Sequence, residues 1–311
     1  MTPSVDVIIP TWCRRELLDR CLRTLATQDV EHTVVVADNA SGDGTVAMLR
    51  ADHPHVRVVE LEQNVGFGRA VNAAVAAGSG EILVLVNNDV EVEPGFLRAI
   101  VAPFDEPVVG MVASMVLAPG RPERVDCLGL AIDRTLLVHC RLRGLPPDAD
   151  VALERLAGPS GCAGAYRRAA FEQVGGFDDA LFAYGDDIDV ALRMRAEGWQ
   201  AREARGARAI HVGGATAGID SPWQREMAGF ARGYGLRRYG VLHTAAAPRT
   251  LLLESMVVGW GLVRHRTTIP LKSRVRGWHT AAGRPRLAML PAAVDSSITL
   301  RDTLTRVAGG R

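Results

Sequence analysis

Ile82-Leu83-Val84-Leu85-Val86-Asn87-Asn88-Asp89 decides the fold of this 311-residue chain. Five unbroken aliphatic residues belong in a sheet covered on both faces, and the run stops in a polar strand end. The same unit recurs upstream. Val5–Pro10 reads as a buried strand, Thr33–Ala37 as a second and Val56–Leu61 as a third. Between them, Arg14–Gln28 carries helical apolar spacing at Leu17, Leu18, Cys21, Leu22 and Leu25. Thr45–Ala51 makes a short helix and Phe67–Ala77 a small-residue one. Such alternation predicts an α/β fold on a Rossmann-like, mostly parallel sheet flanked by helices. Ligands of these sheets bind beyond the carboxyl ends of the strands. Pro10-Thr11, Asp38-Asn39, Gln63-Asn64 and Asn87-Asn88-Asp89 all fall there.

Beyond residue 105 the signals mix. Strands are expected near Val108–Leu117 and, briefly, at Ala207–His211; helices at Arg167–Val174 and Asp186–Glu197. From Trp223 onward the chain reads as helical and basic. The densest chemistry lies in Phe177–Arg193, where Asp178, Asp179, Asp186, Asp187 and Asp189 sit among aromatic residues. A helix N-terminus favours carboxylates, but one cap needs one Asp. Two acidic loops, Asn87-Asn88-Asp89 and Asp186-Asp187-Ile188-Asp189, suit an enzyme that holds a cation and also needs a base.

Asp89 can hold a Mg²⁺ or Mn²⁺ that bridges a diphosphate, since these ions take one or two carboxylates plus phosphate oxygens; the bland reading is an Asn-Asp turn. His211, followed by Val212-Gly213-Gly214, reads alone as an ordinary polar residue, and beside Asp89 as a second ligand. Asp38 either accepts from a pyrimidine N–H or serves its Asp-Asn-Ala-Ser-Gly turn. Gly66-Phe67-Gly68-Arg69-Ala70-Val71 lacks the third glycine of a dinucleotide fingerprint and follows the third strand. It reads better as a close backbone approach with Arg69 aimed at a diphosphate.

Hydrophobic content of 48% supports a substantial core. Five scattered cysteines without CxxC spacing read as reduced thiols of a cytoplasmic protein. No apolar run is long enough to span a membrane, and Val5–Pro10 is too short for a signal peptide. The net charge of +1 hides an asymmetry: residues 1–220 hold 21 Arg against 31 acids, residues 221–311 hold 15 Arg or Lys against 4. A basic tail of this kind meets an anionic partner. Nucleic acid is not expected, because aromatics are not interleaved with the cations. Apolar Leu251–Val263, followed by Arg264, Arg266, Lys272, Arg274 and Arg276, reads equally as a peripheral helix on the inner membrane face and as a buried or dimer-forming helix.

In order along the chain, Val7-Ile8-Ile9-Pro10-Thr11, Val36–Thr45, Asn64-Val65-Gly66-Phe67-Gly68 with Asn72, Val86–Val90, Gly161–Arg168, Val174–Asp178 and Tyr184–Asp189 with Arg193 and Gly198-Trp199 resemble inverting glycosyltransferases of family 2. The resemblance covers roughly residues 4–215 and is nearest the rhamnosyltransferase-like branch. It implies a GT-A-type catalytic domain over 1–220, with a nucleotide-binding half to about 105 and an acceptor-side half from about 106, followed by a helical basic region over 221–311. The implied donor is dTDP-L-rhamnose or a UDP-sugar, and the implied acceptor a glycan or a lipid-linked sugar. Asp38 then meets the base, with Pro10, Thr11, Asn39, Asn64, Gly66, Arg69 and Asn88 around the nucleotide. Asp89 is the metal-binding acid, with His211 as its helper. The motif departs from the usual form in having Asn87 as its first member. Asp186-Asp187 stands where the family has Glu-Asp, so Asp187 matches the catalytic base and Asp186 its neighbour. Gly164, Ala165 and Tyr184 match the acceptor side. Two other classes stay open: a sugar-nucleotide-binding regulator without chemistry, and an NAD-dependent oxidoreductase.

Overall fold

The computed structural model describes residues 3–211 and 221–309; Val212-Gly213-Gly214 and the expected boundary at 220 lie outside them. The first hundred residues fold as their pattern dictates. β1 (Val5–Thr11), α1 (Arg15–Leu25), β2 (Thr33–Asp38), α2 (Thr45–Asp52), β3 (Arg57–Glu60), α3 (Phe67–Ala76) and β4 (Ile82–Val86) alternate, with β3, β2, β1 and β4 side by side in parallel. Every residue of β1 and β4 is buried. Leu18, Cys21, Leu22 and Leu25 of α1 form the face that covers the sheet, each leucine contributing about 1.5–3 kcal/mol by leaving water.

The second half runs β5 (Val90–Val92), α4 (Phe96–Val101), β6 (Val109–Ala118), β7 (Arg121–Cys127), β8 (Leu130–Ile132), β9 (Val138–Cys140), β10 (Ala163–Arg167), α5 (Arg168–Gln173), α6 (Asp186–Ala196) and β11 (Gln200–His211). Among the described residues the main sheet has nine strands in the order β3-β2-β1-β4-β10-β6-β11-β5, with β7 also on β6. Here β10 enters antiparallel between β4 and β6. β11 is longer than the expected Ala207–His211. Its charged first half lies parallel to β6, and an irregularity between Ala204 and Arg208 resets the register. The arginines and glutamate there keep partly exposed faces, so no apolar run announces the strand.

Register places the functional loops. Thr11 pairs with Asp38, Ala163 with Val86 and His211 with Val90, so the ends of β1, β2, β4 and β11 meet around one opening.

α7 (Pro222–Arg238), α8 (Ala247–His265), α9 (Ile269–Thr280) and α10 (Leu300–Gly309) complete the chain. Ser221 caps α7 by accepting from Gln224 N. α7 and α9 approach through small residues: a Cβ on Gly229 would stand 2.1 Å from Ser273 Oγ, one on Gly233 2.0 Å from the Arg274 carbonyl, and one on Gly277 2.0 Å from the Phe230 carbonyl. No described helix is long and apolar enough to cross a membrane.

Candidate active site

The strand ends, the start of α6 and one face of α7 enclose a cleft of about 840 Å³. Pro10, Thr11, Asn39, Asn64, Gly66 and Asn88 all line it. Two of the amides act as braces. Asn88 Nδ2 donates to Thr11 Oγ1 (2.8 Å) and the Cys13 carbonyl (3.2 Å). Asn39 Oδ1 accepts from Val65 N (2.8 Å) while its Nδ2 donates to the Gly66 carbonyl (3.2 Å). Gly66 has φ +89°, and a Cβ there would stand 2.4 Å from the Phe182 carbonyl. The Gly-Phe-Gly segment is therefore a close packing of α3 against the 177–182 loop.

Asp38 is buried just outside the lining. Its Oδ2 accepts from Ser41 N (3.3 Å), but Oδ1 has no partner. A buried acceptor without a donor is costly, so this oxygen fits an incoming N–H. Arg69 lies elsewhere: it is not part of the cleft lining, and its Nε donates to the Asp179 carbonyl (3.2 Å). One turn of α3 separates its Cα from Gly66, which carries the side chain towards the 178–180 loop.

Asp89 and His211 come together, His211 Nε2 lying 3.4 Å from Asp89 Oδ1. A third residue, missed in the sequence, completes the arrangement. Asp126 at the end of β7 lies 3.7 Å from His211 Nδ1 and accepts from Arg143 (2.9 Å). Burial pulls the His211 pKa down, but hydrogen bonds and charge from Asp126 and Asp89 outweigh it and raise it to about 9. The approach of His211 leads the causes that hold Asp126 below the usual carboxylate range, against its burial. A carboxylate beside an imidazole whose far nitrogen rests on a second carboxylate is donor chemistry that fits Mg²⁺ or Mn²⁺. Among the described residues no group of three or more His, Cys, Asp or Glu side chains could hold a metal ion by itself, so a cation at Asp89 and His211 would need phosphate oxygens to complete its shell.

The three acids of α6 have separate fates. Asp189 is structural: it is buried, paired with Arg193 (2.7 Å) and accepts from Tyr239 OH (2.6 Å). Asp187 lines the cleft and is held by two backbone donors, Gly161 N to Oδ2 (3.1 Å) and Ile188 N to Oδ1 (2.8 Å); burial raises its pKa. Asp186 is buried with Oδ2 unpartnered. Burial first, then the Asp187 charge, lifts its pKa to about 8. At neutral pH Asp186 keeps its proton, so two adjacent carboxyls stand in unequal environments at the cleft. Gly185 at φ +78° starts the helix and Tyr184 before it is also left-handed at φ +68°; for a bulky residue that conformation is strained and marks a site.

Of the residues expected to meet an acceptor, Tyr184 lines the cleft. Gly164 and Ala165 do not. Both are buried in β10, paired with β4 and β6, because the small-residue segment is a central strand and only Ser160, Gly161 and Cys162 before it reach the opening. Trp223 of α7 also lines the cleft, 40% exposed, its ring 6.4 Å from Phe182 and 6.2 Å from Tyr184. Trp223 falls just inside the region read as a basic tail, and no motif signals its part in the cleft.

The family model for glycosyl transferase family 2 matches residues 6–175. An N-acetylglucosaminyl-diphospho-decaprenol L-rhamnosyltransferase of Mycobacterium tuberculosis is 27% identical over 259 residues, 71% of this chain and 80% of the relative. The O-antigen biosynthesis protein RfbC of Myxococcus xanthus is 30% identical over 234 residues, 71% of this chain but 18% of that protein. Among solved structures, a mannosyltransferase from Pyrobaculum calidifontis in complex with GDP-Man and Mn²⁺ aligns with a TM-score of 0.57 at 19% identity, covering 99% of this chain and 81% of that one. TarS of S. aureus with UDP aligns with a TM-score of 0.57 at 17% identity, covering 99% and 87%. At such identities these structures speak for the fold alone.

Proposed function

The chain belongs to glycosyltransferase family 2 and has its GT-A-type fold, and on that premise we propose that it moves L-rhamnose from dTDP-L-rhamnose to a hydroxyl of a lipid-linked or polysaccharide acceptor, with inversion. The mycobacterial relative's activity supports the sugar and the lipid carrier. The observation that carries the mechanism is Asp187, fixed by two backbone N–H groups at the cleft while Asp186 beneath it stays neutral.

Asp187 takes the proton of the acceptor hydroxyl, whose oxygen attacks the anomeric carbon as the nucleoside diphosphate departs from the opposite face. A positioned base contributes about 10²–10⁴-fold. Neutral Asp186 adds no second negative charge beside Asp187. Asp38 Oδ1 receives the N3–H of the base, and Asn39 and Asn88 keep the surrounding loops in register. Asp89 and His211 would hold a divalent cation, which neutralises charge on the leaving diphosphate when bound. Phe182, Tyr184 and Trp223 offer exposed aromatic surface for the apolar face of an acceptor sugar. Residues 1–220 form the catalytic unit, with the nucleotide bound by its first half, and α7 from the following region closes the acceptor side.

One observation favours a second donor. Uracil and thymine present the same N3–H to Asp38, so a UDP-sugar satisfies that contact equally. Calorimetric titration with dTDP, UDP, GDP and NAD, each with and without Mn²⁺, tests the reading. Mn²⁺-dependent binding of dTDP is expected; UDP preference would replace the sugar, and binding of NAD alone would end the transferase reading.

A further inference from the structure

α8 turns its inner face to the protein and its outer face to solvent. Inward, Leu253 is buried, Gly261 meets Pro270, and Glu254 is clamped between Arg232 (2.7 Å) and Arg274 (2.5 Å). Outward, Leu251, Leu252, Met256, Trp260, Leu262 and Val263 are exposed, Trp260 to 64% and Val263 to 81%. The stripe runs about 18 Å along the helix without an exposed charge, and α9 adds exposed Leu271 and Val275. A patch of this extent marks a surface that meets something apolar.

Its charge says what. Between residues 247 and 280 the sole acid is Glu254, already spent inward. Arg249 and Arg276 are also paired, with Asp133 and Glu226. Arg264, Arg266 and Lys272 remain exposed at the end of the stripe with no ion pair among the described residues. A second copy docked on the same face would bring three cations and no free carboxylate to meet three cations. An anionic bilayer supplies both the missing negative charge and the apolar depth, and a Trp with flanking Arg and Lys is the composition that settles at such an interface.

We propose that the outer face of α8, with the adjoining start of α9, binds anionic lipid surfaces in the plane of the membrane. Through Glu254 and Arg232 this face is joined to the wall of the cleft, so a docked bilayer lies against the helical side of the site. Vesicle binding is independent of which sugar is moved.

The test is sedimentation of the full chain with vesicles of phosphatidylcholine, alone or mixed with phosphatidylglycerol. Binding to the mixed vesicles should exceed binding to neutral ones and fall with added salt. Trp260→Glu with Val263→Glu should abolish it, and Arg264→Gln, Arg266→Gln and Lys272→Gln together should lower it roughly 100-fold. These positions are exposed, so circular dichroism and nucleotide binding should stay unchanged, which separates loss of the lipid face from loss of the fold or of the transferase site. Absence of binding by the unaltered chain, or binding indifferent to both variants, would overturn the proposal. So would a solution dimer that Trp260→Glu with Val263→Glu dissociates, since a second copy would then own the face.

Discussion

Asp186→Asn should make the protein more stable, and by an amount that depends on pH. Asp186 is buried, has an unpartnered oxygen, and keeps its proton up to about pH 8, through burial and the Asp187 charge. In the unfolded chain the same group ionises near 3.8. Stability from this group is therefore fully present below 3.8 and is lost as pH rises, until the folded carboxyl itself ionises near 8. About 3 pH units separate 3.8 from neutrality, each worth about 1.4 kcal/mol, so holding Asp186 neutral at pH 7 costs up to about 4 kcal/mol. Asparagine keeps the shape and the donor of a neutral carboxyl without that cost. At about 2 °C per kcal/mol for a chain of this size, Tm should rise by about 5–8 °C at pH 7 and by less than about 2 °C at pH 4.5. Thermal melts of both proteins across that range are the assay. A gain that does not vary with pH, or a loss at pH 7, would refute the burial of Asp186 as a neutral carboxyl.

His211 is protonated below about 9 between Asp126 and Asp89, and in its proposed role as a ligand it would have to shed that proton to bind a cation. Mn²⁺ affinity in the presence of a nucleoside diphosphate should therefore climb by about tenfold per pH unit up to that value; with Asp126→Asn the climb should level off at lower pH, both read by calorimetry. Gly233→Ala places a Cβ 2.0 Å from the Arg274 carbonyl, backbone that yields little. Overpacking of this kind costs about 1–3 kcal/mol, so a Tm loss of about 2–6 °C is expected. Trp223→Ala should raise the acceptor KM and leave donor affinity within about twofold, as expected for one contact that acts only on acceptor binding; equal losses for both substrates would remove Trp223 from the acceptor side.

The first hundred residues were legible because their strands are mostly buried and so read as aliphatic runs that end in polar loops, as at Val86-Asn87. Asp38, Asn39, Asn64 and Asn88 follow from that pattern and all stand at or just behind the cleft wall. Of the later strands, β6 is legible at Val108–Leu117, but β10 and the first half of β11 hide. β10 is built of Gly164 and Ala165 because it is squeezed between two strands, with Pro159 2.5 Å from a Cβ on Gly164, and small residues resemble a loop. β11 begins in alternating charge, since part of it stays at the surface. Asp126 sits in Arg121–Cys127, a strand whose first four residues are exposed, and only the fold brings it to His211. Arg69 looked aimed at phosphate because it follows a glycine turn, yet its side chain closes the Asp179 loop. The close approach of α7 and α9 is written in Gly229 and Gly233 with Ser273 and Gly277, residues whose absence of bulk gives no hydrophobic signal.

The most direct measurement is single-turnover transfer by Asp187→Asn against the unaltered chain, with donor affinity measured in parallel. Asparagine keeps an acceptor for one of the two backbone donors but cannot take a proton. Transfer should fall by about 10²–10⁴-fold with donor affinity within about twofold, while Asp186→Asn retains most of its rate. Transfer by Asp187→Asn within about tenfold of the unaltered rate would contradict the assignment of the base.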